Sequence, residues 1–391
     1  MINSLLFSFF FLTIAFGQLF RIDVGNNVPI VGIDIAVFLL VAAWLVPHHG
    51  IPQLGRYTRP ATILCATFLL SLTVNSFKYT GTELFVSLLY LVRFILFVFL
   101  VFVVMGIKPG QKKHMPVILL ATGVFTVLAG YVQYVFYPSL RNLYYLGWDE
   151  HLYRMFSVFL DPNFAGAFFV LVFLLSLYFV FTHRNKWAYG TISLVVFVAV
   201  FLTYSRSALI MLGVSSIVFF YLLGKKRLVV GFLVVALLLG ALSTQLLRSE
   251  GTNMFRVTST MSRMVSYEEA FAVFTQHPIL GIGFNAYRYV VHDIHGYKFP
   301  NHAGAGADNS FLFVLATTGV IGFAAYIYFL SSLFGIGHRA LRSNDVAQKT
   351  LGAVTISSLV GVCAASFFIN ALFYPFIMAW LFVVVGLTEN T

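Results

Sequence analysis

Charge is scarce in this chain. Of 391 residues, 9% are Asp, Glu, Lys or Arg and 60% are apolar, whereas a soluble domain carries about 25% charged residues. So long and apolar a chain cannot bury its surface in one water-soluble core, which excludes a soluble globular protein. Its apolar runs are continuous and do not alternate, so membrane-spanning helices are expected rather than barrel strands. Cysteine is nearly absent too. Cys65 and Cys363 both fall inside apolar runs, where a lone Cys is a small hydrophobe and not half of a disulfide. No small-residue cleavage site follows the first apolar run, so it reads as a retained helix rather than a removed signal. Acidic residues are outnumbered, 13 to 24 Lys and Arg, giving a net charge of +11. That excess does not point to nucleic acid, because much of it lies in short loops between apolar runs, where membrane topology accounts for it.

What is present is a series of twelve apolar runs, each near the ~20 residues a bilayer needs. They cover roughly 4–20, 28–46, 61–77, 84–106, 115–137, 162–182, 188–204, 207–223, 228–244, 309–334, 351–372 and 374–388. The expected fold is all-α: a polytopic helical membrane protein forming a single membrane domain over 1–391. With the N-terminus placed in the cytoplasm, alternate loops hold Arg56, Arg59, Lys108, Lys112, Lys113, Arg184, Lys186, Lys225, Lys226, Arg227, Arg339, Arg342 and Lys349. Such a basic bias marks cytoplasmic loops. Both termini are then cytoplasmic, and the long polar segment 245–308 faces outward.

Eight basic residues oppose that rule: Arg141, Arg154, Arg206, Arg248, Arg256, Arg263, Arg288 and Lys298. They are either surface charge balanced by nearby acids or an outward-facing anion site, and Arg suits phosphate through its bidentate fork. Arg93 sits in the middle of an apolar run. An intramembrane Arg points into the bundle towards a partner, here either a tie to Asp34 or a wall of the site. Asp161-Pro162-Asn163 opens the sixth run in the manner of an ordinary helix start. Thr203-Tyr204-Ser205-Arg206-Ser207-Ala208 makes a tight hairpin between two runs, where an Arg held at the interface can reach a lipid phosphate.

Within the polar segment, Val257, Met261, Met264, Tyr267, Phe271 and Phe274 recur at spacings of three and four. This predicts an amphipathic helix lying in the outer interface, with Arg256 and Arg263 on one edge. Glu268 falls on the apolar stripe and Glu269 on the polar side. A carboxylate on an apolar face is paired or faces a cavity, unless the helix breaks there. The Gly281-Ile282-Gly283 pair reads as a turn rather than a nucleotide loop, since no strand precedes it. The histidines between His292 and His302 match no familiar zinc spacing.

Four stretches together resemble the bacterial O-antigen ligase/polymerase superfamily. They are Asp161-Pro162-Asn163; Tyr204-Ser205-Arg206-Ser207-Ala208; Arg263 through Ala270-Phe271 to His277-Pro278-Ile279-Leu280-Gly281-Ile282-Gly283; and Asn309-Ser310-Phe311-Leu312 through Gly319-Val320-Ile321-Gly322. Their order, with one large outer loop before the last runs, carries the resemblance over residues 150–385. It implies a GT-C-like, metal-independent membrane glycosyltransferase of the bacterial inner membrane, with residues 245–308 as a periplasmic catalytic loop and no cofactor. The implied donor is a glycan on a polyprenyl diphosphate. The acceptor is another lipid-linked glycan in polymerases and a lipid A core sugar in ligases. Membrane lipids are implied partners, and a chain-length regulator is left open. Ligases of this kind carry His before the re-entry Asn, but here Asp308 stands there and the nearest histidine is His302, which favours a polymerase.

The chemistry needs a base for the acceptor hydroxyl, cations for the leaving diphosphate and a walled cavity. Asp308 is the expected base, with His302 as substitute, and Arg206, Arg263 and Arg256 are the expected phosphate ligands. Arg288, Glu268, Asn309, Arg154, Asp161, Asn163 and Arg93 are expected to line the substrate site. The expected outcome is inversion by single displacement. The rival from another class is a transporter of lipid-linked sugars or anions, which should show an inverted repeat and helices broken at the midplane. The sequence has no such repeat, and its polar residues gather towards the outer face.

Overall fold

Apolar sequence this continuous folds into helices because their backbone groups pair within the segment and need no water. The computed structural model describes residues 4–23, 29–46, 55–231, 258–295 and 306–389, together with 234, 235 and 238. Its helices, in chain order, are α1 (Ser4–Phe16), α2 (Gly32–Leu45), α3 (Gly55–Val74), α4 (Gly81–Met105), α5 (Met115–Phe136), α6 (Pro162–Thr182) and α7 (Lys186–Leu202). They continue with α8 (Arg206–Leu222), α9 (Thr258–Gln276), α10 (Tyr287–His295), α11 (Ser310–Leu341), α12 (Val346–Ala365) and α13 (Pro375–Thr388). A small antiparallel pair, β1 (Arg21–Asp23) and β2 (Pro29–Val31), joins α1 to α2 with Ile22 opposite Ile30.

Six of these helices are long and apolar enough to cross a membrane, and five shorter apolar helices coincide with five more of the expected spans. The ninth expected span, 228–244, lies mostly outside the described residues. At ~1.5 Å per residue, the 14 residues of α2 and of α13 fall short of a bilayer's ~30 Å hydrocarbon core. The expectation of twelve uniform spans therefore overstates the regularity of the bundle.

α6 is its axis. Every residue from Ala165 to Leu177 is buried, because α7, α8 and α12 pack around it. A helix apolar on all sides is stable only in such a place. α11 packs on α3 and α12, α13 on α4, and α9 lies against α11.

α11 was expected as one unbroken span, but it breaks at Gly319, where φ is 63° and ψ is −168°. A broken helix leaves backbone donors and acceptors unpaired, at a cost of several kcal/mol each in apolar surroundings. The segment Pro278–Gly283 enters the break and pairs with them. Ile282 N–H donates to Ala316 O (3.2 Å), Gly283 N–H to Thr317 O (2.9 Å) and Val320 N–H to Pro278 O (2.8 Å). Ser71 Oγ of α3 lies 2.7 Å from Leu280 O and 2.9 Å from Thr317 O, and Asn75 Nδ2 donates to Gly281 O at 3.2 Å. The expected Gly-x-Gly turn is thus a splice. Only glycine suits its two contact points: Gly281 and Gly319 both have φ near +64°. A Cβ would stand 2.3 Å from Thr317 C at Gly281 and 2.2 Å from Ile279 O at Gly319.

At the opposite end of the bundle, Arg339 Nη2 donates to both carboxylate oxygens of Glu389 (2.9 and 2.8 Å) and Lys112 Nζ to its backbone oxygen (2.8 Å). Residues expected on different cytoplasmic loops therefore share one end.

Gly281→Ala and Gly319→Ala should each destabilise the detergent-solubilised protein. The left-handed φ alone costs about 1–3 kcal/mol, and the clash with backbone adds to it. Thermal unfolding should show a melting temperature lower by several degrees than that of Gly335→Ala, where the nearest atom is 3.8 Å from the added Cβ. Equal melting of all three would disprove the splice.

Candidate functional site

One end of the bundle collects three helix N-termini. Asp161 caps α6 by accepting from the N–H groups of Asn163 (2.6 Å) and Phe164 (3.3 Å). Ser205 caps α8 through Ala208 N–H (3.4 Å). Asn309 caps α11 through Phe311 N–H (2.9 Å) and Leu312 N–H (3.1 Å). Helix N-termini carry partial positive charge and favour anions.

The first two are fastened together by buried polar groups. Arg154, 5% exposed, donates from Nε to Thr203 O (3.0 Å) and from Nη2 to Asn163 Oδ1 (3.3 Å) and Tyr204 O (3.4 Å). Asn163 Oδ1 also accepts from Ser205 Oγ at 3.0 Å. A Cβ on Gly166 would sit 2.6 Å from that of Ala208, so α6 and α8 touch nearly backbone to backbone. Arg154 and Asn163, expected as substrate contacts, are therefore engaged in holding the Tyr204-Ser205-Arg206 hairpin, and Asp161 is engaged as the cap of α6. That frame sets Arg206 on the first residue of α8.

α9 brings the second arginine. Its inward face holds half-buried Arg263, Ser266, Tyr267 and Glu269 and buried Ala270 and Val273. The charge of Arg263 acts on Arg206, on Asp308 and on Tyr267. The two guanidiniums and the Asp308 carboxylate thus share one electrostatic neighbourhood. The Tyr267 hydroxyl donates to Phe367 O, tying α9 to the turn after α12.

Asp308 is half-buried. It is not the helix cap that its position allowed: Asn309 takes that role, and the Asp308 N–H donates to Ser266 Oγ at 3.1 Å. Burial pushes the Asp308 carboxyl above its ordinary value, the Arg263 charge pulls it down, and Asp161 and Asp149 push it up again. Tyr287, 3% exposed, has its hydroxyl pushed up by burial and by the charges of Glu269 and Asp308. That buried hydroxyl has no hydrogen-bond partner among the described residues.

One expectation needs correction. Glu268 is exposed while Glu269 is half-buried, because α9 docks through Ala270 and Val273 and so turns position 268 outward. The Met261, Met264 and Phe271 stripe is 63%, 57% and 55% exposed, as suits a helix expected to lie in the membrane interface. Of the two roles open to Arg93, the structure shows the tie to Asp34, and Arg93 also donates to Pro29 O (2.9 Å). Asn309 is engaged as a cap and with Phe367 O at 3.4 Å. Arg288 turns towards α4, with its guanidinium 5.3 Å from the Tyr90 ring centre. Arg256 and His302 lie outside the described residues. Sequence reasoning missed Tyr267, Glu269 and Tyr287 as site residues. The first was legible, since it stands four residues after Arg263 and so shares its face. Among the described residues, no three His, Cys, Asp or Glu side chains gather to hold a metal ion.

The fold defines a multi-pass helical membrane protein with a polar, arginine-bearing end. Residues 191–327 match the family model of the O-antigen ligases. The match supports the resemblance to the O-antigen ligase/polymerase superfamily: three of the four motif stretches, and Arg206, Arg263 and Asp308, fall inside the matched span, and Asp161-Pro162-Asn163 lies before it. No curated protein matches the chain.

Burial of Asp308 has a consequence for stability. A carboxyl whose folded value lies above the unfolded one is favoured in its protonated form by folding, so stability falls as pH rises from about 4 through the folded value. At neutral pH the ionised group costs stability. Asp308→Asn should therefore melt no lower than wild type at pH 7, whereas Asn309→Ala should lose about 1 kcal/mol through the missing cap. Thermal unfolding at pH 7 checks both.

Proposed function

We propose that the chain transfers a glycan from a lipid-linked diphosphate to a sugar hydroxyl at the outer face of the bacterial inner membrane. The observation that supports this reading is that Arg206 begins α8, Asp308 precedes the cap of α11, and α9, which bears Arg263, docks at the same end through Asp308 N–H on Ser266 Oγ and Tyr267 on Phe367 O. Asp308 accepts the proton of the acceptor hydroxyl. The freed oxygen forms a bond to the anomeric carbon while the bond from that carbon to the diphosphate breaks. The two guanidiniums, helped by the helix N-termini, hold the charge that develops on the leaving diphosphate. They supply the cationic stabilisation that a metal ion supplies elsewhere, so the reaction is metal-independent. A single displacement inverts the anomeric centre. Burial of Asp308 raises its basicity, which suits a general base.

The favoured acceptor is a second lipid-linked glycan, making the protein a polysaccharide polymerase. The second reading is a ligase acting on a lipid A core sugar, and the name of the matched family favours it. The whole chain is a single membrane domain of twelve spans with cytoplasmic termini, and residues 245–308 form a periplasmic catalytic loop.

Purified protein in vesicles with a labelled lipid-linked glycan should lengthen the glycan. Transfer to a core lipid instead would select the ligase, and uptake without a new bond a transporter. Arg206→Lys and Arg263→Lys keep the charge but lose the fork, and each should slow turnover about 10–100-fold, the loss of one charged hydrogen bond. Asp308→Asn should slow it about 10²–10⁴-fold. In wild type, activity should fall on acidification at a pH above the ordinary carboxylate range. An active Asp308→Asn enzyme would remove the base assignment. In spheroplasts, an impermeant thiol reagent should label Glu268→Cys but leave Lys113→Cys unlabelled until lysis.

A further inference from the structure

Residues 287 and 288 are adjacent and turn to opposite sides. Tyr287 faces the Asp308 neighbourhood and packs edge-on to Phe313, with ring centres 6.3 Å apart. Arg288 leaves that site and reaches α4, where its guanidinium carbon lies 5.3 Å from the centre of the Tyr90 ring. The guanidinium carbon of Arg93 lies 4.9 Å from the same ring. One aromatic ring thus carries two cations. Stacking on a ring face does not replace the five hydrogen bonds a guanidinium can donate.

The two arginines differ in what else they have. Arg93 is neutralised by Asp34 and accepted by Pro29 O. Arg288 is half-buried, and its Nε is buried with no hydrogen-bond partner among the described residues. The nearby acid, Glu83, is engaged at the start of α4, where it accepts from Thr80 N–H and Thr80 Oγ1, both at 2.8 Å. A buried guanidinium donor without an acceptor is costly, and the cost is lifted when a planar or tetrahedral oxyanion takes the fork.

From this arrangement we propose that Arg288, steadied by Tyr90 and Arg93, forms a second phosphate site, taking the diphosphate of the lipid-linked acceptor. The proposal rests on the transfer reaction above and deepens it. A polymerase must hold two lipid diphosphates at once, the donor's at Arg206 and Arg263 and the acceptor's elsewhere. The segment from Phe284 to Arg288 separates the two positions, so the acceptor sugar would reach Asp308 past Tyr287. A ligase needs only the first site.

The test is binding of geranylgeranyl diphosphate to the intact protein in detergent, read as molecules bound per chain. Wild type should bind two. Arg288→Gln and Arg206→Ala should each bind one, and the double variant none. Tyr90→Leu should weaken the Arg288 site about tenfold, and Arg288→Lys, which keeps charge without the fork, should weaken it as well. The molecule still bound by Arg288→Gln at the first site shows that this variant is folded. One molecule per chain in wild type, lost only in Arg206→Ala, would overturn the second site while leaving the transfer reaction intact. Loss of the first site's binding in no variant would instead count against the reaction itself. Equal displacement from the Arg288 site by phosphatidylglycerol would assign it to a phospholipid headgroup and overturn the acceptor assignment.

Discussion

Where α11 stops being a helix at Gly319, amides and carbonyls that would have paired with one another are left inside an apolar bundle. Pro278–Gly283 pairs with them, and Ser71 of α3 and Asn75 just after it donate to Leu280 O, Thr317 O and Gly281 O. The rest of the polar end depends on this junction. The splice holds the chain that enters from α9 and the chain that leaves into Phe284–Arg288 at a fixed height against α11. It also separates a short helix, Ser310–Thr318, from the longer one below. The short helix carries Asn309 and Asp308 at its start. Because the splice is made of backbone bonds with no room for a Cβ on either glycine, the position of Asp308 relative to Arg263 is set by main-chain geometry rather than by side-chain packing alone.

A second constraint is the cost of burying charge. Arg154 is almost fully enclosed and is satisfied by two carbonyl oxygens and an amide oxygen. Arg93 is satisfied by Asp34. Arg206 and Arg263 act on one another's charge at the end that receives three helix N-termini. Two like charges held together by a frame are an arrangement awaiting an anion. Asp308 limits how much of that field is cancelled by the protein itself, and Asp161 and Asp149 oppose its ionisation. The same end of the molecule therefore provides both a grip for a multiply charged leaving group and a carboxylate made more basic by burial.

Individual motifs show how much of this could be read from residues. Pro162 with Asp161 before it announced a helix start, and the start is where expected because proline fits the first turn and Asp can cap it. The hairpin at Tyr204–Ser207 was also legible, since polar residues between two apolar runs have nowhere else to go. The inward face of α9 was not. Spacing put Met261, Met264 and Phe271 on the stripe of an interfacial helix, but it did not say which small residues on another face dock on the protein. Ala270 and Val273 do so here. Glu268 and Glu269 exchanged roles for that reason.

The sequence by itself determined the membrane class, the order of the helices and the resemblance to the O-antigen ligases, because continuous apolar runs and short motifs are local properties of the chain. It also singled out Arg206, Arg263 and Asp308. Only the tertiary structure decided which groups each arginine meets. Arg154 is engaged by Thr203, Asn163 and Tyr204 and Arg93 by Asp34, while Arg288 is carried across to Tyr90. Such pairings join residues tens or hundreds of positions apart. They depend on the crossing of α6 with α8 and on the break in α11, and no local pattern of residue types encodes either.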